Sequence, residues 1–323
     1  MMLFGKTTIG RPAPHTKCFE AIVMVGIVLS AAACYPLIKL GLSYAPPLRF
    51  AGTRVILAGV CLLGFCLSSG RRIWPSENLR RWIVPFGLVA TTLTFGSMFL
   101  APAFTGAGLA AVLGNTQPLF IIILGTVFLG ERLTAGKLFA LVLGITGVVV
   151  LAFPSIGASG SRVLIGDLLA LGVAASAAVA SILIKRIRPG ASLIPFTGWQ
   201  LVAGGIPLLL ISAIAEQGHA TKWQPAYLAI LITLAVAGTA LTTVGWFWLL
   251  QRYEAGRLSL LLFCVPITGL TLAAIIQGEL PTALEWIGVG VIMAAVGLAL
   301  CDSRIAARAE RKGRAGIAFG NAP

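Results

Sequence analysis

Thr91-Thr92-Leu93-Thr94 returns as Thr239-Ala240-Leu241-Thr242, and this recurrence decides how the chain is read. Around it Gly108 pairs with Gly256, Pro118 with Pro266, Gly130-Glu131 with Gly278-Glu279 and Thr134 with Thr282, each 148 positions apart without a gap. Earlier in each half the offset is 146: Gly26 with Gly172, Ser30 with Ser176, Lys39 with Lys185, Phe50 with Phe196, Gly52 with Gly198 and Gly59 with Gly205. Self-similarity at a fixed offset marks a repeat architecture, here one unit present twice.

Composition says what solvent the unit folds in. The chain has 323 residues, 58% hydrophobic and 11% charged, and its mean hydropathy is +0.97. A water-soluble fold of this size has no interior large enough for that apolar surface, so the chain is expected to lie in a membrane. Apolar spans are expected at 20–40, 48–68, 82–100, 107–129, 136–153, 166–185, 193–214, 225–249, 257–277 and 284–301. Each approaches the roughly 20 residues that cross a bilayer as helix. Lipid offers backbone amides no water, and unbroken apolar runs lack the alternation of a barrel, so the spans are predicted to be helices.

Each unit holds five spans, an odd number, so the second copy enters the membrane from the opposite side. The predicted fold is therefore an all-α membrane protein, ten transmembrane helices in two inverted-topology five-helix repeats around a central cavity. Its parts are a tail at 1–19, a first repeat at 20–153, a second at 166–301 and a basic tail at 302–323.

Charge sets the orientation. With both termini cytoplasmic, 19 Lys and Arg residues fall in cytoplasmic segments, and only Lys39, Arg49, Arg162 and Lys222 fall on the other side. That is a strong positive-inside bias. The same scatter over many loops argues against nucleic acid as the partner behind the net charge of +14. Arg304 to Arg314 is expected near anionic lipid headgroups. The six cysteines have no ligand-like spacing, so no metal or cofactor is expected. Thr282 with Glu285 has the spacing of a capping box for the tenth span, and Thr134 is expected to cap the fifth.

The unit endings Gly130-Glu131-Arg132-Leu133-Thr134 and Gly278-Glu279-Leu280-Pro281-Thr282, with Phe50-Ala51-Gly52-Thr53-Arg54 and Gly166-Asp167-Leu168-Leu169-Ala170-Leu171, resemble the EamA-type branch of the drug/metabolite transporter superfamily. The resemblance covers about residues 20–301 and rests on two copies at constant offset more than on any one motif. It implies a ten-helix carrier moving small metabolites, commonly amino acids outward, through a central cavity, with the fifth and tenth helices peripheral. It also implies, together with the compact loops, a bacterial inner membrane. Gln200 stands where the second copy would repeat Arg54, so a symmetrical charge pair is not expected.

Several side chains are candidates for substrate contact, each with a structural alternative. Arg54 is the one cation well inside a span, where an Arg costs about 2.5–3.5 kcal/mol on insertion scales. It therefore faces protein, water or solute, and a purely structural bond is the competing role. Asn115, Thr116 and Gln117 precede Pro118 in mid-span, where proline frees a carbonyl and kinks the helix among amides. Interhelical bonding is the alternative there. Pro266 is the mirror kink. Thr94 and Gln200 add polar groups, and Tyr35 and Trp246 lead an aromatic set with Trp199, Trp248 and Phe263. Glu131 and Glu279 are candidate gate residues at opposite faces, pairing with cations such as Arg132, or else plain helix-end fixings.

The leading functional expectation is an alternating-access exporter of small metabolites such as amino acids, with efflux of drug-like amphipathic solutes as the alternative. Its partners are a small-molecule substrate and the lipid bilayer; a homodimer is one option for its assembly. No Asp or Glu lies near a span centre, which favours exchange or facilitated diffusion over strict proton coupling, although Glu20 and Asp167 at span ends keep coupling open. A membrane-embedded enzyme is disfavoured because neither Gly-x-Ser-x-Gly nor His-Glu-x-x-His occurs. A passive channel is disfavoured by the absence of charged rings.

Overall fold

The structure is a computed structural model that describes residues 14–105, 113–114, 116–152, 161–265, 267–268, 271, 283–284, 286–291, 293–295 and 297–298. All regular structure among the described residues is helical. In chain order, α1 is Pro14–Gly41, α2 Pro47–Ser68, α3 Glu77–Gly87, α4 Thr94–Thr105, α5 Gln117–Leu129 and α6 Ala135–Ala152. The second half contributes α7 at Ser161–Ile187, α8 at Leu193–Ala215, α9 at Pro225–Ala235, α10 at Thr242–Leu250 and α11 at Ala255–Ser259.

Six helical stretches are long and apolar enough to cross a membrane: Cys18–Gly41, Pro47–Ser68, Glu77–Pro102, Val163–Ile187, Gly190–Ala215 and Pro225–Leu250. Their outward faces carry large apolar side chains such as Leu210 and Ile214, and α6 holds Phe139 at 70% exposure. Such surface is stable only against hydrocarbon, so the chain is an all-helical, multi-pass membrane protein. The ninth and tenth expected spans lie partly outside the described residues.

The third span differs from expectation in two ways, each with a physical reason. The third span begins at Glu77, five residues early, because polar Asn78, Arg80 and Arg81 continue the helix beyond its apolar length. The same span is not one α-helix: a π-helical turn at Leu88–Leu93 joins α3 to α4, and its equivalent at Val236–Leu241 joins α9 to α10. Thr94 donates its hydroxyl to the Val89 carbonyl, Thr242 to Ala237 and Thr239 to Leu234, each reaching back five residues. The paired threonine stretches that reveal the duplication thus hold its two widened turns.

The most extensive packing is between α2 and α8, one helix from each half. It is glycine-lined. A Cβ on Gly59 would stand 2.6 Å from the Gly198 carbonyl oxygen, and one on Gly205 would stand 2.5 Å from the Ile56 side chain. With Gly52 and Gly198 opposite, the two backbones meet directly, as small residues allow in lipid. At one end of this pair the Glu216 carboxylate caps α2, accepting from the Leu48 N–H at 2.7 Å and the Arg49 N–H at 3.0 Å. Ser212 holds the same carboxylate at 2.6 Å.

Gly59→Leu should therefore separate α2 from α8 and cost about 1–3 kcal/mol or more, as overpacking does. Gly64→Leu, on the same helix where nothing lies within 4 Å, should leave the unfolding midpoint unchanged. Thermal unfolding of both variants in detergent compares them directly; equal midpoints would show that the glycine contact does not limit stability.

Candidate functional site

The polar groups in mid-helix are bonded between the two halves. Arg54 on α2 is 1% exposed and donates through Nε to Thr239 Oγ1 at 2.8 Å. Its Nη2 reaches the Gly238 carbonyl at 3.1 Å and Cys34 Sγ at 3.2 Å. In the other half Gln200, also 1% exposed, accepts from Thr91 Oγ1 at 2.8 Å. Arg54 and Gln200 share the 146 offset, and Thr91 and Thr239 the 148 offset, so one link is made twice with different chemistry. A second link repeats it: Thr94 meets Ser176 at 2.8 Å, and Thr242 meets Ser30 at 3.1 Å.

Beside these links lies a cavity of about 190 Å³. Its polar lining is Gln117, Ser181, Thr242, Thr243 and Trp246, between small walls such as Ala31, Ala90 and Ala177. Trp246 donates its indole N–H to Ser181 Oγ at 3.1 Å, and Ser181 donates to the Ala177 carbonyl at 2.8 Å, which locks the ring in place. Thr242 is held by Ala237 and Ser30. The Gln117 amide and the Thr243 hydroxyl make no hydrogen bond among the described residues, so both are free for a solute.

Gln117 reaches the cavity because its helix is interrupted. Thr116 has φ −75° and ψ −1°, and its hydroxyl donates to the Leu113 carbonyl at 2.6 Å. Pro118 can supply no N–H, and α5 restarts at Gln117. The kink expected at Pro118 is thus a break at Thr116.

Of the predicted contacts, the structure brings Gln117 and Trp246 together and places Thr94, Gln200 and Arg54 elsewhere. Thr94 is committed to Ser176 and Val89, Gln200 is committed to Thr91, and Arg54 lies outside the cavity wall. Trp199 stacks on Trp74 with ring centres 4.3 Å apart, Trp248 lies under Arg252 at 3.7 Å, and Phe263 packs against Gly144. Tyr35 sits on α1, with its side chain outside the described residues. Asn115, Pro266 and Glu279 also lie outside them. Ser181 was not foreseen, although the 146 offset pairs it with the candidate Tyr35 and marked it.

One end of the bundle is closed in two layers. Met24, Val28, Leu249, Leu258 and Leu261 fill the space next to Trp246, leaving only about 10 Å³ open. Beyond them Glu131 ties the halves. Its Oε1 lies 2.7 Å from Lys185 Nζ and accepts from the Ala255 N–H at 2.7 Å, and its Oε2 accepts from the Gly256 N–H at 2.9 Å. The expected cation, Arg132, is not its partner: Lys185 points inward from α7, and Arg132 offers its carbonyl to Lys137 at 2.9 Å. Lys137 also pairs with Glu254 at 2.8 Å, and its own N–H is capped by Thr134 at 3.2 Å as expected. Tyr253 donates to the Glu20 carboxylate, which Arg252 approaches at 3.7 Å.

Burial alone would raise the Glu131 carboxyl, but the hydrogen bonds from Lys185, Gly256 and Ala255 outweigh it and hold it below the ordinary carboxylate value. Burial and the Glu20 carboxylate push the Tyr253 phenol up to about 12, so it remains a donor.

Comparison with known proteins bears on what such a cavity serves. The EamA-like transporter family profile matches residues 19–153 and 164–301. The chain is 27% identical over 304 residues to the uncharacterized transporter YvbV of Bacillus subtilis, covering 94% of this chain and 97% of that one. It is 30% identical over 287 residues to a probable amino-acid metabolite efflux pump of Escherichia coli, covering 85% and 92%. A solved crystal structure shares the fold at TM-score 0.76 and 17% identity, over 89% of this chain and 98% of that one.

Glu131→Gln should destabilise the protein by about 3 kcal/mol at neutral pH, the scale for losing one partner of a buried pair. Because the folded-state pKa is lowered, this contribution is complete above the unperturbed value of 4.5 and disappears as pH falls through the lowered one. The gap between wild-type and variant unfolding midpoints should therefore stay constant down to pH 4.5 and close below it. A gap that narrows above that pH would contradict the assignment.

Proposed function

The chain belongs to the EamA-like transporter family, and we propose that it is an alternating-access carrier exporting small metabolites, amino acids foremost, across a bacterial inner membrane. It is a membrane transporter; its ten-helix inverted-repeat construction, its substrate class and its direction are our reading.

The cavity carries that reading. It lies beside the junction of the two halves, as midplane binding sites do in inverted-repeat carriers, and presents two free polar groups against an aromatic wall. At about 190 Å³ it falls below the roughly 300–1,000 Å³ of drug-sized sites, which favours a metabolite over a drug-like solute. Similarity to the probable amino-acid metabolite efflux pump of Escherichia coli supports amino acids as the leading class. No Asp or Glu belongs to the described lining, in keeping with exchange or facilitated diffusion.

On the reading that both termini are cytoplasmic, the Glu131 cluster serves as the closure on the cytoplasmic side. The 148-residue offset gives Glu279, Ala107 and Gly108 the corresponding roles in the other half, so the two closures alternate.

Counterflow in proteoliposomes tests the carrier: unlabelled solute inside should drive labelled amino acid to accumulate, with saturation. Gln117→Ala and Trp246→Ala should each weaken it roughly tenfold, the scale of one lost polar contact. Absence of counterflow with any amino acid by folded wild-type protein would overturn amino-acid export, and unaltered kinetics in both variants would move the substrate away from this cavity.

A further inference from the structure

We propose that Arg54 is the anchor for a carboxylate on the transported solute, which restricts substrates to small molecules with a free carboxylate and an apolar body. The inference deepens the carrier reading and rests on it for the direction of use; binding itself is read separately below.

The first observation is an uncompensated charge. None of the ion pairs among the described residues involves Arg54. Nε and Nη2 are satisfied by neutral groups, and Nη1 is buried without any hydrogen-bond partner. Four carboxylates are spoken for elsewhere: Glu20 with Tyr253, Glu131 with Lys185, Glu216 with the start of α2, and Glu254 with Lys137. A guanidinium left in this condition inside a membrane helix is costly, and an ionisable group so placed marks a ligand or ion path.

The second observation is internal to the molecule. Gln200 makes the corresponding cross-half link to Thr91, as Arg54 makes it to Thr239. A neutral amide therefore suffices to join the halves at this depth. The charge at position 54 has a different purpose, and the unpartnered Nη1 of the guanidinium suits a carboxylate oxygen, which makes a charge-assisted hydrogen bond with it.

The third observation is position. Cys34 and Ala31 lie one turn apart on α1, as do Thr239 and Thr242 at the π turn and start of α10; the first of each pair touches Arg54 and the second lines the cavity. Three residues of helix rise span about 4.5 Å. A solute whose hydrocarbon body fills the space beside Trp246 extends a terminal carboxylate to the guanidinium, whose other near neighbour is the Phe95 ring, 5.5 Å from Arg54 Cζ. Its remaining polar group meets Gln117 and Thr243. Nothing in the described lining is anionic, so an ammonium on the solute is tolerated but does not hold it.

The test is ligand-induced stabilisation of the purified full chain in detergent, since a bound ligand raises the unfolding midpoint in proportion to its affinity. Leucine, phenylalanine and threonine are each compared with their amide and with their deaminated acid. The expected result is that amino acids and deaminated acids stabilise wild type while the amides bind roughly a hundredfold more weakly, as the loss of a charge-assisted contact predicts. Arg54→Gln, which copies the arrangement at Gln200 and so keeps the link to Thr239, should lose that preference, and Arg54→Lys should retain part of it. Amides that bind as well as acids, an Arg54→Gln variant with unchanged preference, or no stabilisation by any of the three acid series would each overturn the inference. Counterflow without carboxylate preference would overturn it and leave the carrier standing, whereas carboxylate-selective binding without counterflow would do the reverse.

Discussion

A polar group in hydrocarbon has no water to fall back on, and the interior of this bundle is organised around that fact. Arg54, Gln200, Thr94 and Thr242 sit in mid-helix, and each finds a partner in the opposite half. Hydrophobic attraction does not separate right from wrong neighbours when lipid is as apolar as leucine. Specificity therefore falls to these few bonds and to the glycine contact of α2 with α8, where backbone meets backbone. The closed end follows the same rule at the membrane edge, since Glu131 satisfies a cation and two amides of the opposite half together.

Much of this was legible in the residues. Fixed offsets pointed to the duplication, apolar length pointed to helices that cross a membrane, and proline at 118 pointed to an interruption, which the structure has at Thr116. Trp246, preferred among the tryptophans for its distance from the span ends, lines the cavity. The π turns were not legible, because a widened turn has the composition of the α-helix around it; only the crowding of threonine hinted at them. Lys185 escaped notice as the partner of Glu131 because it is 54 residues away in sequence while Arg132 is adjacent, and adjacent loop residues point apart. Thr94 and Gln200 were judged by polarity alone, and nothing in a single residue type says whether its bond goes to protein or to solute.

The two copies share most of the residues that join them and differ at several that face the cavity. Thr91 and Thr239, Thr94 and Thr242, and Ser30 and Ser176 are unchanged across the offset, and all of them take part in the cross-half links. Gln117 stands opposite Val265, Ser181 opposite Tyr35 and Trp246 opposite Met98. Symmetry thus builds the frame, and departure from it furnishes the chemistry at one place.

The reach of the Arg54 bond has a consequence in time. Its partner Thr239 lies 185 residues further along the chain. At synthesis rates of roughly 5–20 residues per second, about ten to forty seconds pass between translation of the arginine and of the threonine that will hold it. Through that interval the first half waits in or near the membrane with a cation that has no permanent companion. Assembly of this protein is therefore a matter of delayed completion, in which the earliest-made helices stay receptive until the last ones arrive, and any pause in translation lengthens the exposure.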